Sequence, residues 1–593
     1  MVKFRKTAVL AAICAVCLCS HALPALAAGE PDDLASLFIE DTLLPVDPLF
    51  EAGTQENPYS VSSVQDLVTL AQIAASNTLE DVYFLQTADI TVNADELFTE
   101  SAGMLTVASG ASPVVLPLIG ANADKPFMGH YNGNGYRIRG LVTQSDAGCA
   151  GLFGTVKNAE IINVHVEHSV LNVGSYVGGI VGKCDGSTRI AGCSFDGTIT
   201  VREKGSNLAS RIGGIVGCVD TTAQVTDCVS TASVKVTDSP FVLYVGGIAG
   251  LNIGTVSECV NRGGLDVVSN YCTVSAGGIV GDNMGTVQGC VNDGDMSGGI
   301  TALVASLNLG GVTGANSGTV ERVRNRGAIT AFGYDAYPAY AGGIVGNNGG
   351  LVRVCSNNGV IYADSAYVGG IAGINLASEG KTARVSNCLN TGLIIGEVGV
   401  IGGLVGANAT GTGTGNTAIL EASLNLDDAW YGNPAIGAVE VSGANTGKVT
   451  DVYVRNGEDA YAVTLDDDTL LTADALEGLD DEAWVYPQDG FFPGLAVVKN
   501  LEKSEAVDIA VNTDAGKVAF ALYHSGRAQD AVAYLAFYEE GRLVQLVSQP
   551  VTLTEGYTVY TADAPGAKTA DEIRIIVLDA AGRLSPVTSM ARF

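Results

Sequence analysis

From about residue 150 to 450 the chain repeats one arrangement of apolar and small residues. A Gly-Gly-aliphatic-x-Gly unit stands at Gly178-Gly179-Ile180-Val181-Gly182 and returns from Gly213, Gly246, Gly277, Gly310, Gly342, Gly369 and Gly402. The steps run from 27 residues (Gly342 to Gly369) to 35 (Gly178 to Gly213). A second element follows in several copies, as Asn252-Ile253-Gly254-Thr255-Val256, Asn283-Met284-Gly285-Thr286-Val287 and Asn316-Ser317-Gly318-Thr319-Val320. A third is Cys259-Val260-Asn261-Arg262-Gly263, Cys290-Val291-Asn292-Asp293-Gly294 and Cys388-Leu389-Asn390-Thr391-Gly392. Partial copies flank the array at Gly151-Leu152-Phe153-Gly154 and Gly443-Ala444-Asn445-Thr446-Gly447. Self-similarity at such a period is the mark of a repeat architecture.

The unit reads as strand. Short β-branched runs alternate with Gly, Asn and Asp, and no 3.6-residue period persists. Glycine at this density would cost a helix about 1 kcal/mol per residue relative to Ala. The pattern predicts three short strands and three turns per coil of a parallel β-solenoid, with coils stacked at ~4.8 Å and glycines at the corners, where positive φ is required and coils pack closely. About ten coils would make a rod of roughly 45 Å.

Two columns follow from this register. Cys193, Cys228, Cys259, Cys290, Cys355 and Cys388 each lie three residues after the second-element aliphatic, with Val323 and Ser423 in the equivalent place elsewhere. A position shared by Cys, Val and Ser reads as a small buried packing site. An offset of three cannot point both side chains inward on a straight strand, so a corner or bulge is expected between them. The alternative is a disulfide framework, since stacked Cα atoms ~4.8 Å apart fall in the bridging window. Asn261, Asn292, Asn325, Asn357 and Asn390 form the second column. It reads as a turn ladder of amides bonded from coil to coil, the rival being a row of sugar- or ion-binding amides.

The ends differ from the array. Residues 1–28 have a basic start (Lys3, Arg5, Lys6), an apolar run from Ala8 to Leu18 and a small-x-small site at Ala25-Leu26-Ala27, the plan of a secretory signal peptide. An acidic linker (29–52) leads to an N-terminal cap and first coils (53–150). Ser62 to Gln65 has capping-box spacing, and Val64, Leu67, Val68, Ala71 and Ala74 would lie on one helical face suited to plugging the solenoid end. After the array (151–450) comes a closing segment (451–497). In residues 498–593, Val518–Tyr523, Ala531–Tyr538, Leu543–Val547 and Ile573–Leu578 read as strands of a small β-sandwich. The expected fold class is all-β throughout, apart from the capping helix.

Composition narrows the function. The 593 residues include 76 Gly, and 63 acidic against 31 basic side chains leave a formal net charge of −32. That balance excludes a general nucleic-acid binder and disfavours docking on anionic membranes. No segment reads as membrane-spanning, and no covalent wall-anchor motif is present.

The Gly-Gly-Ile-Val-Gly, Asn-x-Gly-Thr-Val and Cys-x-Asn-x-Gly elements together resemble the GLUG-type repeat of bacterial secreted and surface proteins. The resemblance covers about residues 53–496. It takes in Asn57-Pro58-Tyr59-Ser60-Val61 and His130-Tyr131-Asn132-Gly133-Asn134-Gly135, where Asn132 stands for the usual Asp. It also takes in Trp484 with Asp489-Gly490-Phe491-Phe492-Pro493 as a closing segment. The resemblance implies a right-handed β-helix-like solenoid, with roles in adhesion, display or substrate binding.

Chemistry is sparse. His165-Val166-Glu167-His168 lacks the spacing of a zinc-protease helix. Asp282, Asp293, Asp295, Arg262 and Arg326 read as solvated corner residues, and no pair of catalytic acids is evident. No catalytic residue, cofactor or metal site is therefore assigned. Calcium could be considered at Asp466-Asp467-Asp468 and Asp480-Asp481-Glu482, but no spaced loop motif supports it. Trp430 and Tyr431 are candidates for stacking on a ligand. The leading expectation is a secreted or cell-surface, non-catalytic adhesion protein with an extracellular glycan or host-protein ligand. The alternatives are a carbohydrate-active β-helix enzyme, whether polysaccharide lyase or glycosidase, and a ligand-free spacer.

Overall fold

The computed structural model describes residues 52–426 with short interruptions and separate stretches between 436 and 592. The expected signal peptide, nearly all of the acidic linker, the two acidic runs, Trp430 and Tyr431 lie outside the described residues. The chain forms an all-β parallel solenoid of about eight turns. Six of the coils carry five short strands, where the sequence pattern suggested three; in the first and last coils neighbouring strands are merged. In one five-stranded coil these are Leu243–Gly246, Ala249–Asn252, Thr255–Ser257, Val260–Asn261 and Leu265–Ser269. The first strands stack into a nine-stranded sheet and the second into a ten-stranded sheet, while the other three join one 31-stranded sheet. Each Gly-Gly pair separates the first strand from the second. Partial copies at Cys149–Ala150, Phe153–Lys157 and Ile436–Ala438 extend the ladders beyond the eight complete units. Pairing is in register from coil to coil, as in Leu243↔Val274 and Gly246↔Gly277.

The Gly-Gly pairs sit where coils pack closely, as expected, but not at positive φ. None of the Gly-Gly pairs has a left-handed backbone. They are small because their neighbours are close. A Cβ on Gly247 would fall on the Gly278 carbonyl and the Asn261 carboxamide, and Gly278, Gly311, Gly343 and Gly370 repeat this against Asn292, Asn325, Asn357 and Asn390. The first and third motif elements are thus two sides of one contact.

Positive φ is placed instead between the second-element aliphatic and the cysteine column, and mostly on residues other than glycine. Asp227, Glu258, Arg322, Val354, Asn387 and Ala422 all sit there at φ 47–55°, with Gly289 at 63°. One left-handed residue turns the chain so that Val256 and Cys259 both point inward, which resolves the offset of three. Both are fully buried.

The cysteine column has a simple polar requirement. Cys228, Cys259, Cys290, Cys355 and Cys388 each donate the thiol hydrogen to the carbonyl two residues earlier, at 3.1–3.3 Å, and Ser423 does the same at 2.8 Å. Those carbonyls also accept a backbone N–H from the preceding coil, as Asp227 N–H to Ser257 O. Val323, with no donor, therefore leaves nothing unsatisfied. All six cysteines of the column are free thiols. Burial raises Cys193, Cys259 and Cys355 above the ordinary thiol range.

Asparagine supplies the polar spine, in two columns. Asn261 Nδ2 donates to Asn292 Oδ1 at 2.8 Å, and the chain of amides continues through Asn325, Asn357, Asn390 and Asn425 at 2.8–2.9 Å. The other amide hydrogen goes to a carbonyl two residues on, such as Gly263 O at 3.0 Å, while Oδ1 accepts the Gly263 N–H at 3.1 Å. A second column runs Asn252, Asn283, Asn316, Asn348, Asn375 and Asn408, with links of 2.7–2.8 Å.

At the N-terminal end the coil interior holds Phe84, Phe127, Tyr131 and Phe153, with ring centroids 5.3–6.1 Å apart along the chain of contacts. The helix Val64–Ser76 buries Leu67, Leu70, Ala71, Ile73 and Ala74 against this core. Its N-cap is Ser63, whose hydroxyl accepts from Asp66 N–H, while Asp66 accepts from Ser62 N–H; the capping pair lies one residue later than the sequence suggested. Near the other end Trp484 is buried, and its Nε1 donates to Asn387 Oδ1 at 3.2 Å. The C-terminal stretch folds into three- and four-stranded antiparallel sheets. They share one apolar core that includes Phe520, Leu535, Phe537 and Ile575.

Asn325→Ala removes the acceptor of Asn292 and the donor to Asn357. Stranded buried amides cost about 1–3 kcal/mol each, so a loss of about 2–5 kcal/mol is expected by urea unfolding. Asn358→Ala, at an exposed neighbour, should stay within about 0.5 kcal/mol. Alkylation followed by mass spectrometry should leave the six column thiols unlabelled in the native protein and label all six in the denatured, unreduced protein. Any pair still blocked after denaturation would reveal a bridge.

Candidate functional site

The positions singled out in the sequence are mostly interior. Asn261, Asn292, Asn325, Asn357 and Asn390 are fully buried, and the cysteine column is buried with them. Their amides and thiols face each other and the backbone, and they offer no row of groups to a ligand. Asp293 lies between Arg262 and Arg326, at 3.8 and 3.1 Å, and Asp295 accepts the Ala328 N–H. His165 meets Ser194 Oγ at 2.8 Å, while His168 lies edge-on to Phe98. Among the described residues no three His, Cys, Asp or Glu side chains form a group able to hold a metal.

The surface with the most distinctive chemistry comes from a column just outside the three motif elements. The residue two before each Gly-Gly pair points outward from the first strand. In register these are Tyr176, Arg211, Tyr244, Ser275, Asn308, Tyr340, Tyr367 and Val400. Beside it, on the second strand, runs Lys183, Cys218, Leu251, Asp282, Ala315, Asn347 and Ile374. The two columns meet along a seam parallel to the rod axis. The last glycine of each unit makes the meeting possible, since a Cβ on Gly281 would run into the backbone at Tyr244 and Val245.

The seam has three parts. At one end the Arg211 guanidinium lies over the Tyr176 ring at 4.9 Å and near the Tyr244 ring at 5.9 Å. The middle is polar, with Asn308 Nδ2 donating to Ser275 Oγ at 3.2 Å. At the other end the Tyr340 and Tyr367 rings stack with centroids 5.6 Å apart. The tyrosines are half-buried, so their faces are held in place while part of each ring stays open to solvent. Burial raises the Tyr244 and Tyr340 hydroxyls above their ordinary range.

Asp282 belongs to this seam. It was expected to be a solvated corner residue, yet it lies within the strand Val280–Asn283 and is largely sheltered. Burial pushes its carboxyl up to about 6. It is the single carboxylate in the two columns, whereas glycosidic cleavage by paired acids needs two. The seam as built can stack flat apolar ring faces, offer amide and hydroxyl hydrogen bonds, and present one guanidinium. Sequence could have found it by aligning the position two before each Gly-Gly pair, where four of the eight residues are tyrosine.

A family model for the GLUG motif matches residues 209–237. That segment is one whole coil, from the strand Ser210–Gly213 to the strand Ser233–Thr237, and it contributes Arg211 and Cys218 to the seam. Comparison with curated proteins and with solved structures found no match. No described helix is long and apolar enough to cross a membrane.

The raised carboxyl of Asp282 sets a pH dependence with a definite sign. Its folded-state value lies above the unfolded value, so between about pH 4 and pH 6 the folded chain binds more protons than the unfolded one. Its contribution to stability therefore falls as pH rises through that window and stays low above it. Asp282→Asn should raise the melting temperature at pH 7.5 relative to the parent. The difference should shrink toward pH 4; an unchanged difference across the window would contradict the assignment.

Proposed function

We propose that this is a secreted or cell-surface, non-catalytic binding protein that uses the outer seam of its solenoid to hold an extracellular glycan. The single observation that carries the reading is the column of half-buried tyrosines, Tyr176, Tyr244, Tyr340 and Tyr367, repeating along the rod axis. Aromatic rings bring large contact area at small entropic cost, and a linear polymer can meet several of them at once. The partly exposed carboxamide of Asn347 and the tyrosine hydroxyls would give such a polymer hydrogen-bond partners, while Ser275 and Asn308 are buried between them and bond each other. Export fits the basic and apolar plan of residues 1–28. A bacterial, adhesin-like role rests on the repeat resemblance.

In this reading the solenoid is right-handed, the helix Val64–Ser76 caps its first coil, and the C-terminal sheets form a β-sandwich module displayed by the rod. A cap is physically needed, because a bare coil edge offers unpaired backbone groups to other chains. The second reading is a carbohydrate-active enzyme, and Asp282 favours it. A sheltered acid with a raised pKa beside an aromatic ring has the character of a general acid. A hydrolase working through this seam would have to recruit its second acid from outside the two columns.

A glycan array followed by titration tests the choice. The parent protein should bind at least one linear polysaccharide, and Tyr340→Ala with Tyr367→Ala should weaken that binding about tenfold or more at a temperature well below the melting point of the variant. Polysaccharide turnover lost in Asp282→Asn would favour the enzyme. Failure to bind any glycan or host surface protein would leave a spacer.

A further inference from the structure

Arg211 is unusual in this acidic chain. Among the described residues it makes no ion pair with a carboxylate, and its Nε is buried without a hydrogen-bond partner. Its Nη1 donates to Ala209 O at 2.8 Å, so one edge of the guanidinium is fixed, and it makes no other hydrogen bond among the described residues. Tyr176 and Tyr244 flank the group and hold it in the seam. Lys183, in the neighbouring column, is already paired with Asp185 at 2.9 Å.

Resting on the glycan reading above, we propose that Arg211 makes the seam selective for an anionic glycan, taking a sugar carboxylate on its guanidinium between Tyr176 and Tyr244. A planar guanidinium matches a carboxylate in a bidentate fork, and rings on both sides exclude water from the pair. The net charge of −32 does not oppose this at short range. Charges farther away than the Debye length, about 8 Å at physiological salt, are largely screened. Among the described residues, the acids that act on this part of the seam are Asp185, which is held by Lys183, Asp220 and Asp282. Asp282 stands two coils further along, so it would favour a ligand whose acidic unit lies at the Arg211 end and whose neutral units run toward Tyr340.

A neutral oligosaccharide ending in one uronic acid, and the methyl ester of that acid, test the proposal, since they share a backbone and differ in a single charge. Titration calorimetry on the full chain should show the acid binding at least about tenfold more tightly than the ester, with the difference shrinking as salt rises. Arg211→Gln should remove that difference, and Arg211→Lys should restore only part of it. Equal binding of acid and ester by the parent protein would overturn the proposal and leave the glycan reading standing. Binding of neither form, with no effect of Tyr340→Ala or Tyr367→Ala on any glycan, would overturn both. Melting temperatures of the two Arg211 variants separate loss of recognition from loss of fold.

Discussion

In a stacked coil every side chain has a counterpart in the next coil about 4.8 Å away, so each column must be filled by residues that tolerate near-copies of themselves. Asparagine meets this condition better than any charged residue. Its carboxamide is donor and acceptor at once, so Asn261 can bond Asn292 and still hold its own turn. A buried charge in the same place would face a like charge in each neighbour. Some charged residues in adjacent coils are matched in sign, as with Lys235 beside Asp266 and Glu321 beside Arg353.

The same condition links the motif elements. The carboxamide of each asparagine in the Asn261 column lies where a Cβ on the second glycine of the Gly-Gly pair would be. In the two coils before Asn261 that position holds Phe195 and Ser230, which pack against Gly179 and Gly214 in the same way. Column and glycine are therefore read together by packing, whatever fills the column. The cysteine column is more permissive, because its carbonyl partners already have backbone donors and Val323 fits as well as a thiol.

The seam is the one place where self-compatibility leaves room for variation. An outward column needs no internal hydrogen bond, so tyrosine, arginine, serine and asparagine can follow one another along it. That freedom is what function requires of a repeat surface, and it is why the candidate site lies there and not at the buried ladders. Rings stacked on rings, as Tyr340 on Tyr367, are stable in such a column and still present an edge or face to a ligand.

Sequence alone determined the solenoid, its register and the identity of the cysteine and Asn261 columns, because each follows from a period that any coil must obey. It also located the corner before the cysteines, from an offset that a straight strand cannot satisfy. It did not reveal that Glu258, Arg322 and Val354 would take the left-handed turn, since these residue types carry no signal for positive φ. Nor did it give five strands per coil, because two-residue pairings such as Val260–Asn261 are defined by the neighbouring coil and not by their own composition. The seam was decided by tertiary structure. Tyr244 and Asp282 are 38 residues apart in number, and only the glycine that lets one strand pass close to the next brings a ring and a sheltered acid to the same surface.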